Sequence, residues 1–256
     1  MNLLWLDKYE RPTRFVPGLL ALLPVAVTVT ALGFRQAPVV SGVVSLLSLA
    51  GGPVLLADTV RSLGLKAQGK LWTSWGGAPT TIALRLRQAT PNEVQRDIWR
   101  TAIQKVTGIR LATARSESSN PERADQTIEA AVARIRELTR DDSRFYLVQA
   151  ENRGYGFRRN FYATRIVGRV VAFLGLLVIL GFALWSTLHG RQPDLQTAYV
   201  LGFAIDALIV LGWFLLPSSD RVRQIADKYA YQLLQAAVTL SADPTGSTAP
   251  ASDQTP

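Results

Sequence analysis

Ten residues, ENRGYGFRRN at positions 151–160, gather a dense set of side chains able to do chemistry. Arg153, Tyr155, Arg158, Arg159 and Asn160 stand around Gly154 and Gly156. The glycines predict a turn in which backbone N–H groups can approach an anion closely. A guanidinium fork suits bidentate phosphate contact, and a tyrosine ring offers a stacking face. Helix is expected to resume near Phe157, with Arg158, Tyr162, Arg165 and Arg169 on one face. Charge next to a membrane would explain Arg165 and Arg169 alone. Two readings stand for the rest: a site for a phosphate-bearing ligand, or structural packing with lipid-headgroup contact.

Two further groups invite the same question. KLWTSWGGAPTT, positions 70–81, sets Trp72 and Trp75 ahead of a Gly-Gly turn. They read as an interfacial or core aromatic pair, or as a stacking surface for a base. Shortly after, TIALRLR alternates apolar and polar residues, which predicts a half-buried strand turning Arg85 and Arg87 outward as further ligand contacts. Within the apolar runs, Asp206 is the one acid deep inside, and Ser41, Ser45 and Ser48 form a polar stripe before Gly51-Gly52-Pro53. Such an acid is a functional candidate. It either hydrogen-bonds two helices together or, with the serines, lines a pore or cavity.

Much other chemistry is missing. There is no cysteine, and the single histidine, His189, falls in a hairpin loop. Neither a Ser–His–Asp device nor a thiolate or imidazole metal site is expected. No Walker A loop occurs, and GYGFRR carries arginine where the dinucleotide fingerprint needs its third glycine. Asp125 and Glu129 share a helix face that could hold Mg²⁺, although a solvated face is the commoner outcome. No catalytic residue, metal or cofactor is assigned, and an enzyme is not expected.

The positioning elements come from hydropathy. The chain has 256 residues, 48% of them hydrophobic, with a net charge of +9. Runs at 15–34, 38–56, 170–188 and 197–216 approach or reach the roughly 20 residues that cross a bilayer. Short polar links join them into two hairpins. Of the 28 Lys and Arg, only Arg35 and Arg191 fall in the hairpin loops, and the other 26 lie in the two ends and the middle segment. The positive-inside rule then puts both termini and the middle segment in the cytoplasm. A cleaved signal peptide at 15–34 is the alternative, but that run is longer than usual and a second follows almost at once.

The middle segment, 61–165, is long enough for a small core. TPNEVQRDIWRTAIQKV predicts a helix with Thr90 as N-cap, Pro91 in first position and Val94, Ile98, Ala102 and Val106 as the buried stripe. LATARSESSN reads as loose. Asn120 and Pro121 start a second helix with Ile128, Ala131, Val132, Ile135 and Leu138 inward, and SRFYLVQA follows as a strand. The expected fold is a membrane protein with four transmembrane α-helices as two hairpins and a small α+β cytoplasmic domain inserted between helices 2 and 3. Its parts are 1–60, 61–165, 166–216, an amphipathic cytoplasmic helix at 217–240, and a disordered tail at 241–256. The amphipathic helix should dock on the cytoplasmic domain or pair with a neighbouring subunit.

At LWTSWGGAPTT and ENRGYGFRRN the chain resembles the SMODS-associated four-transmembrane effectors of nucleotidyltransferase-linked anti-phage systems, the type found in the Hailong system. In that family a Trp/Gly-Gly/Pro-Thr motif and a Tyr-Gly-Phe-Arg-Arg-Asn motif flank a cytoplasmic insertion. The resemblance implies a multi-pass protein of the bacterial inner membrane that disrupts that membrane; because four spans enclose little room, a water path is expected to need a homo-oligomer. The resemblance further implies a nucleotide or short oligonucleotide ligand and a nucleotidyltransferase encoded nearby. An oligomeric ion pathway under ligand control is the leading expectation. A non-conducting scaffold that recruits a cytoplasmic partner is the alternative, and a small transporter fits less well, with one charged residue in the spans and no clear inverted repeat.

Overall fold

The computed structural model describes residues 11–33, 42, 51–189 and 193–242, and every element in them is helical. A π-helical turn, Arg11–Phe15, leads into α1, Val16–Ala31. Next come α2 (Gly52–Trp75), α3 (Pro79–Leu84), α4 (Glu93–Thr107), α5 (Ala114–Ser119) and α6 (Pro121–Leu138). The chain continues as α7 (Tyr146–Ala163), α8 (Arg165–Leu188), α9 (Pro193–Leu215) and α10 (Ser219–Ala242). They fall into two compact units, one of residues 1–70 with 153–222 and the other of 71–152 with 223–256.

In the first unit, three helices are long and apolar enough to cross a membrane: Thr13–Ala31, Arg165–Leu188 and Thr197–Leu215. Only 17–28% of each apolar window is buried inside the chain, which leaves most side chains for a surrounding apolar medium. Small residues set the packing where the three meet. A Cβ at Gly168 would stand 2.3 Å from the Trp213 ring, and one at Gly202 would stand 2.5 Å from the Ala31 methyl. Without hydrophobic drive between helices in lipid, such close backbone approach supplies the contact. Of the second apolar run, 38–56, the part carrying Ser41, Ser45 and Ser48 lies outside the described residues. Three candidate spans therefore stand among the described residues, against four expected.

The second unit corrects the α+β expectation, since no strand occurs among the described residues. TIALRLR begins inside α3, where Pro79 sits in the first turn and Thr80, Thr81 and Leu84 are buried at helical spacing. Backbone turns extended only at Arg85, with φ −66° and ψ 136°. SRFYLVQA instead leads into α7, burying Phe145 and Val148 while Tyr146 and Leu147 point outward. A short apolar run fits either period, and here the three-residue spacing wins. The expected turn at Gly154 and Gly156 is helix interior, with neither glycine at positive φ.

Smaller shifts follow the same logic. Asn92, not Thr90, caps α4, its side chain accepting from the Gln95 N–H at 2.9 Å. LATARSESSN holds α5, capped by Thr113, and buries Glu117. Asn120 caps α6 as expected, accepting from the Arg123 N–H at 3.1 Å. The core joins Ile128, Ala131, Val132 and Ile135 of α6 to Trp99 and Ile103 of α4 and to Leu233, Leu234 and Ala237 of α10. The C-terminal helix thus docks within its own chain. Val94 and Ile98 do not join this core and are 72% and 45% exposed.

Candidate functional site

The residues of ENRGYGFRRN do not form a turn around an anion. They lie on α7, where the later part of that helix meets α2. Gly64 and Gln68 occupy one face of α2, four residues apart. Gln68 Oε1 accepts from Arg159 Nη1 at 2.6 Å and from the Tyr155 hydroxyl at 3.2 Å. Arg159 Nε donates to Asn160 Oδ1 at 3.2 Å, and Asn160 Nδ2 donates to the Thr13 carbonyl at 2.6 Å. Asn160 is fully buried, and a Cβ at Gly64 would stand 1.9 Å from its Oδ1. Only glycine leaves room for that amide. The Arg159 guanidinium also lies over the Tyr155 ring, 5.8 Å from its centre.

This arrangement ties three stretches distant in sequence into one polar knot. Tyr155, Arg159 and Asn160 spend their hydrogen-bonding groups on it, as low-dielectric burial requires. Arg153 lies one turn before Phe157 and is half-buried, while Arg158, also half-buried, makes no hydrogen bond or ion pair among the described residues. The predicted set is thus brought together as a structural junction. Its partners Thr13, Gly64 and Gln68 escaped the sequence reading. The spacing of Gly64 and Gln68 on a helical face was the available signal.

Arg85 and Arg87 serve a second junction. Arg85 grips Asp125 bidentately, Nε to Oδ1 at 3.0 Å and Nη2 to Oδ2 at 2.8 Å, and Nη1 donates to the Gly76 carbonyl at 2.7 Å. Arg87 Nη2 reaches the same carboxylate at 2.7 Å, and its Nη1 donates to Glu117 at 3.0 Å. Fully buried Glu117 also accepts from the backbone N–H groups of Leu86 and Arg87. Burial pushes the Asp125 carboxyl up, but the hydrogen bonds from Arg85 and Arg87 outweigh it and hold the group below its ordinary value. The hydrogen bond to Asp125 correspondingly raises Arg87. Of the pair expected to face solvent, Arg85 is partly buried against Asp125 while Arg87 stays exposed as it pairs with Asp125 and Glu117, and Asp125 is taken by arginines rather than a metal.

The tryptophans border this region. Gly76 and Gly77 carry positive φ of 84° and 143°, so the Gly-Gly turn is real. A Cβ at Gly77 would stand 2.7 Å from Arg85 Nη2, so the turn wraps that guanidinium. Arg223 lies over the Trp75 ring at 5.0 Å, and Trp72 is half-buried.

Asp206 forms a third junction, at the meeting of α1, α8 and α9. It is fully buried and accepts from the Thr28 hydroxyl at 3.2 Å through Oδ2, while buried Oδ1 has no hydrogen-bond partner among the described residues. A Cβ at Gly175 would stand 2.7 Å from Thr28 Oγ1 and 2.8 Å from Asp206 Oδ2. One helix supplies the acid, one the hydroxyl and one the gap. Thr28 and Gly175 were not singled out in sequence. A lone acid with an open acceptor among apolar helices can take up a proton or accept a hydrogen bond from a passing polar group.

No protein-family model, curated protein or solved structure matches the chain.

Proposed function

We propose that the protein is an oligomeric effector of the bacterial inner membrane in anti-phage defence, forming or gating an ion pathway under control of a nucleotide or oligonucleotide ligand. The observation that carries the reading is Asp206, an acid held among three apolar helices with one oxygen that has no partner among the described residues. An acid in that setting is costly and is kept where ions or protons are handled. Both termini and the segment between the hairpins face the cytoplasm in this proposal, as the distribution of 26 against 2 positive residues favours. The second helical unit then stands where a cytoplasmic signal can reach it.

A membrane scaffold that recruits a cytoplasmic partner is the second reading. It is favoured by the enclosure of Asp206 within the helices of one chain and by the engagement of Arg85, Arg87 and Arg159 in contacts within the chain. Induced expression with a potential-sensitive dye separates the two. Under the effector reading the membrane potential collapses on induction, and a neighbouring nucleotidyltransferase gene modulates the effect. A normal potential at high expression, with and without that gene, would leave the scaffold.

A further inference from the structure

In the second unit, α6, α7 and α10 line a polar cleft of about 310 Å³, which Asn152 joins from the start of the ENRGYGFRRN stretch. Its lining includes Arg136, Glu137 and Arg140 from the end of α6 and the residues after it. Gln149 and Asn152 of α7 and Tyr229 of α10 complete it. We infer that this cleft is a binding site for a small ligand carrying a phosphate group and an aromatic or other planar part.

The chemistry of the lining supports that class. Arg136 lies in the last turn of α6 and Arg140 just after its Thr139 cap, and both line the cleft, which offers two guanidiniums to one anion. Arg140 is held by Glu137 at 2.9 Å, whereas the Arg136 guanidinium makes no hydrogen bond or ion pair among the described residues. The cleft therefore carries one uncompensated positive charge. A helix C-terminus ordinarily repels anions through its bare carbonyls. Here those carbonyls are closed: Ile135 accepts from the Thr139 N–H, Arg136 from the Thr139 hydroxyl and Glu137 from the Arg140 N–H. Gln149 Nε2 closes the Thr139 carbonyl at 2.7 Å. The Asn152 side chain makes no hydrogen bond among the described residues, which leaves its amide to read a ligand's polar edge. Tyr229 supplies an aromatic wall.

The inference deepens the proposed function by giving a place where a ligand could be read, and it rests on that reading only for its consequence in the membrane. The test uses the full-length protein in nanodiscs, titrated calorimetrically with phenyl phosphate, inorganic phosphate and phenol. Phenyl phosphate should bind saturably and more tightly than either fragment, and should protect Arg136 from phenylglyoxal as read by mass spectrometry. Arg136→Gln should weaken binding tenfold or more, and Asn152→Ala severalfold. Exposed Arg134 on the same helix lines no part of the cleft, and Arg134→Gln should change nothing. Absence of saturable binding, or equal losses in Arg134→Gln and Arg136→Gln, would overturn the site. Saturable binding with an unchanged membrane potential would sustain the site and count against the ion pathway instead.

Discussion

Gly64 makes the residue-scale argument testable. Both ends of the Asn160 amide are in use, and Gly64 is the space they occupy. Gly64→Ala must part the helices or turn the amide away from its partners. Leaving buried polar groups unpaired costs about 1–3 kcal/mol. We expect a lowered unfolding midpoint for the detergent-solubilised variant, and none for Gly69→Ala, where nothing lies within 4 Å of an added Cβ. Equal midpoints would remove the knot from the account. Asp125 gives a pH signature. Its carboxyl is held below the unfolded-state value of about 3.9, so its stabilisation is full above that pH and is lost as pH falls through the folded value. Chemical denaturation between pH 6 and pH 2, a range set by that reference value at about 3.9, should show a shallower acid loss in Asp125→Asn than in the parent. Parallel pH profiles would contradict the assignment.

Among the elements, α8 contains its own control. A Cβ at Gly168 would meet the Trp213 ring at 2.3 Å, whereas nothing lies within 4 Å of one at Gly181. Gly168→Ala should therefore lower the unfolding midpoint clearly, and Gly181→Ala should leave it unchanged or raised by roughly 1 kcal/mol of helix propensity. Identical behaviour would refute the α8–α9 packing. The elements also mark what sequence could convey. α6 was legible from its cap at Asn120 through its buried stripe, because local signals and tertiary packing agree. α3 and the start of α7 were read as strands because four or five apolar residues satisfy both periods. In α4 the expected apolar stripe holds at Ala102 and Val106 but not at Val94 and Ile98, which are exposed. The buried face instead uses Arg96 and Arg100, whose guanidiniums cap carbonyls of Leu84, Arg85, Gln88 and Ala112 while their stems fill space. Asp206 was legible as a candidate, but its partners Thr28 and Gly175 were not, since each sits on a different helix far along the chain.

At the scale of the whole molecule, the proposed topology rests on the candidate spans and the charge distribution. Reporter fusions at the N-terminus, within 111–120 and at the C-terminus should behave as cytoplasmic, and one after His189 as periplasmic. A cytoplasmic signal after His189 would invert the arrangement. Whether Asp206 belongs to an ion pathway is tested most directly by current through planar bilayers containing the purified protein. Discrete conductance steps are expected, and Asp206→Ala and Thr28→Val should both alter them, with expression and unfolding midpoint near those of the parent. Silent bilayers with correctly inserted parent protein, or steps indifferent to both substitutions, would contradict a pathway at Asp206.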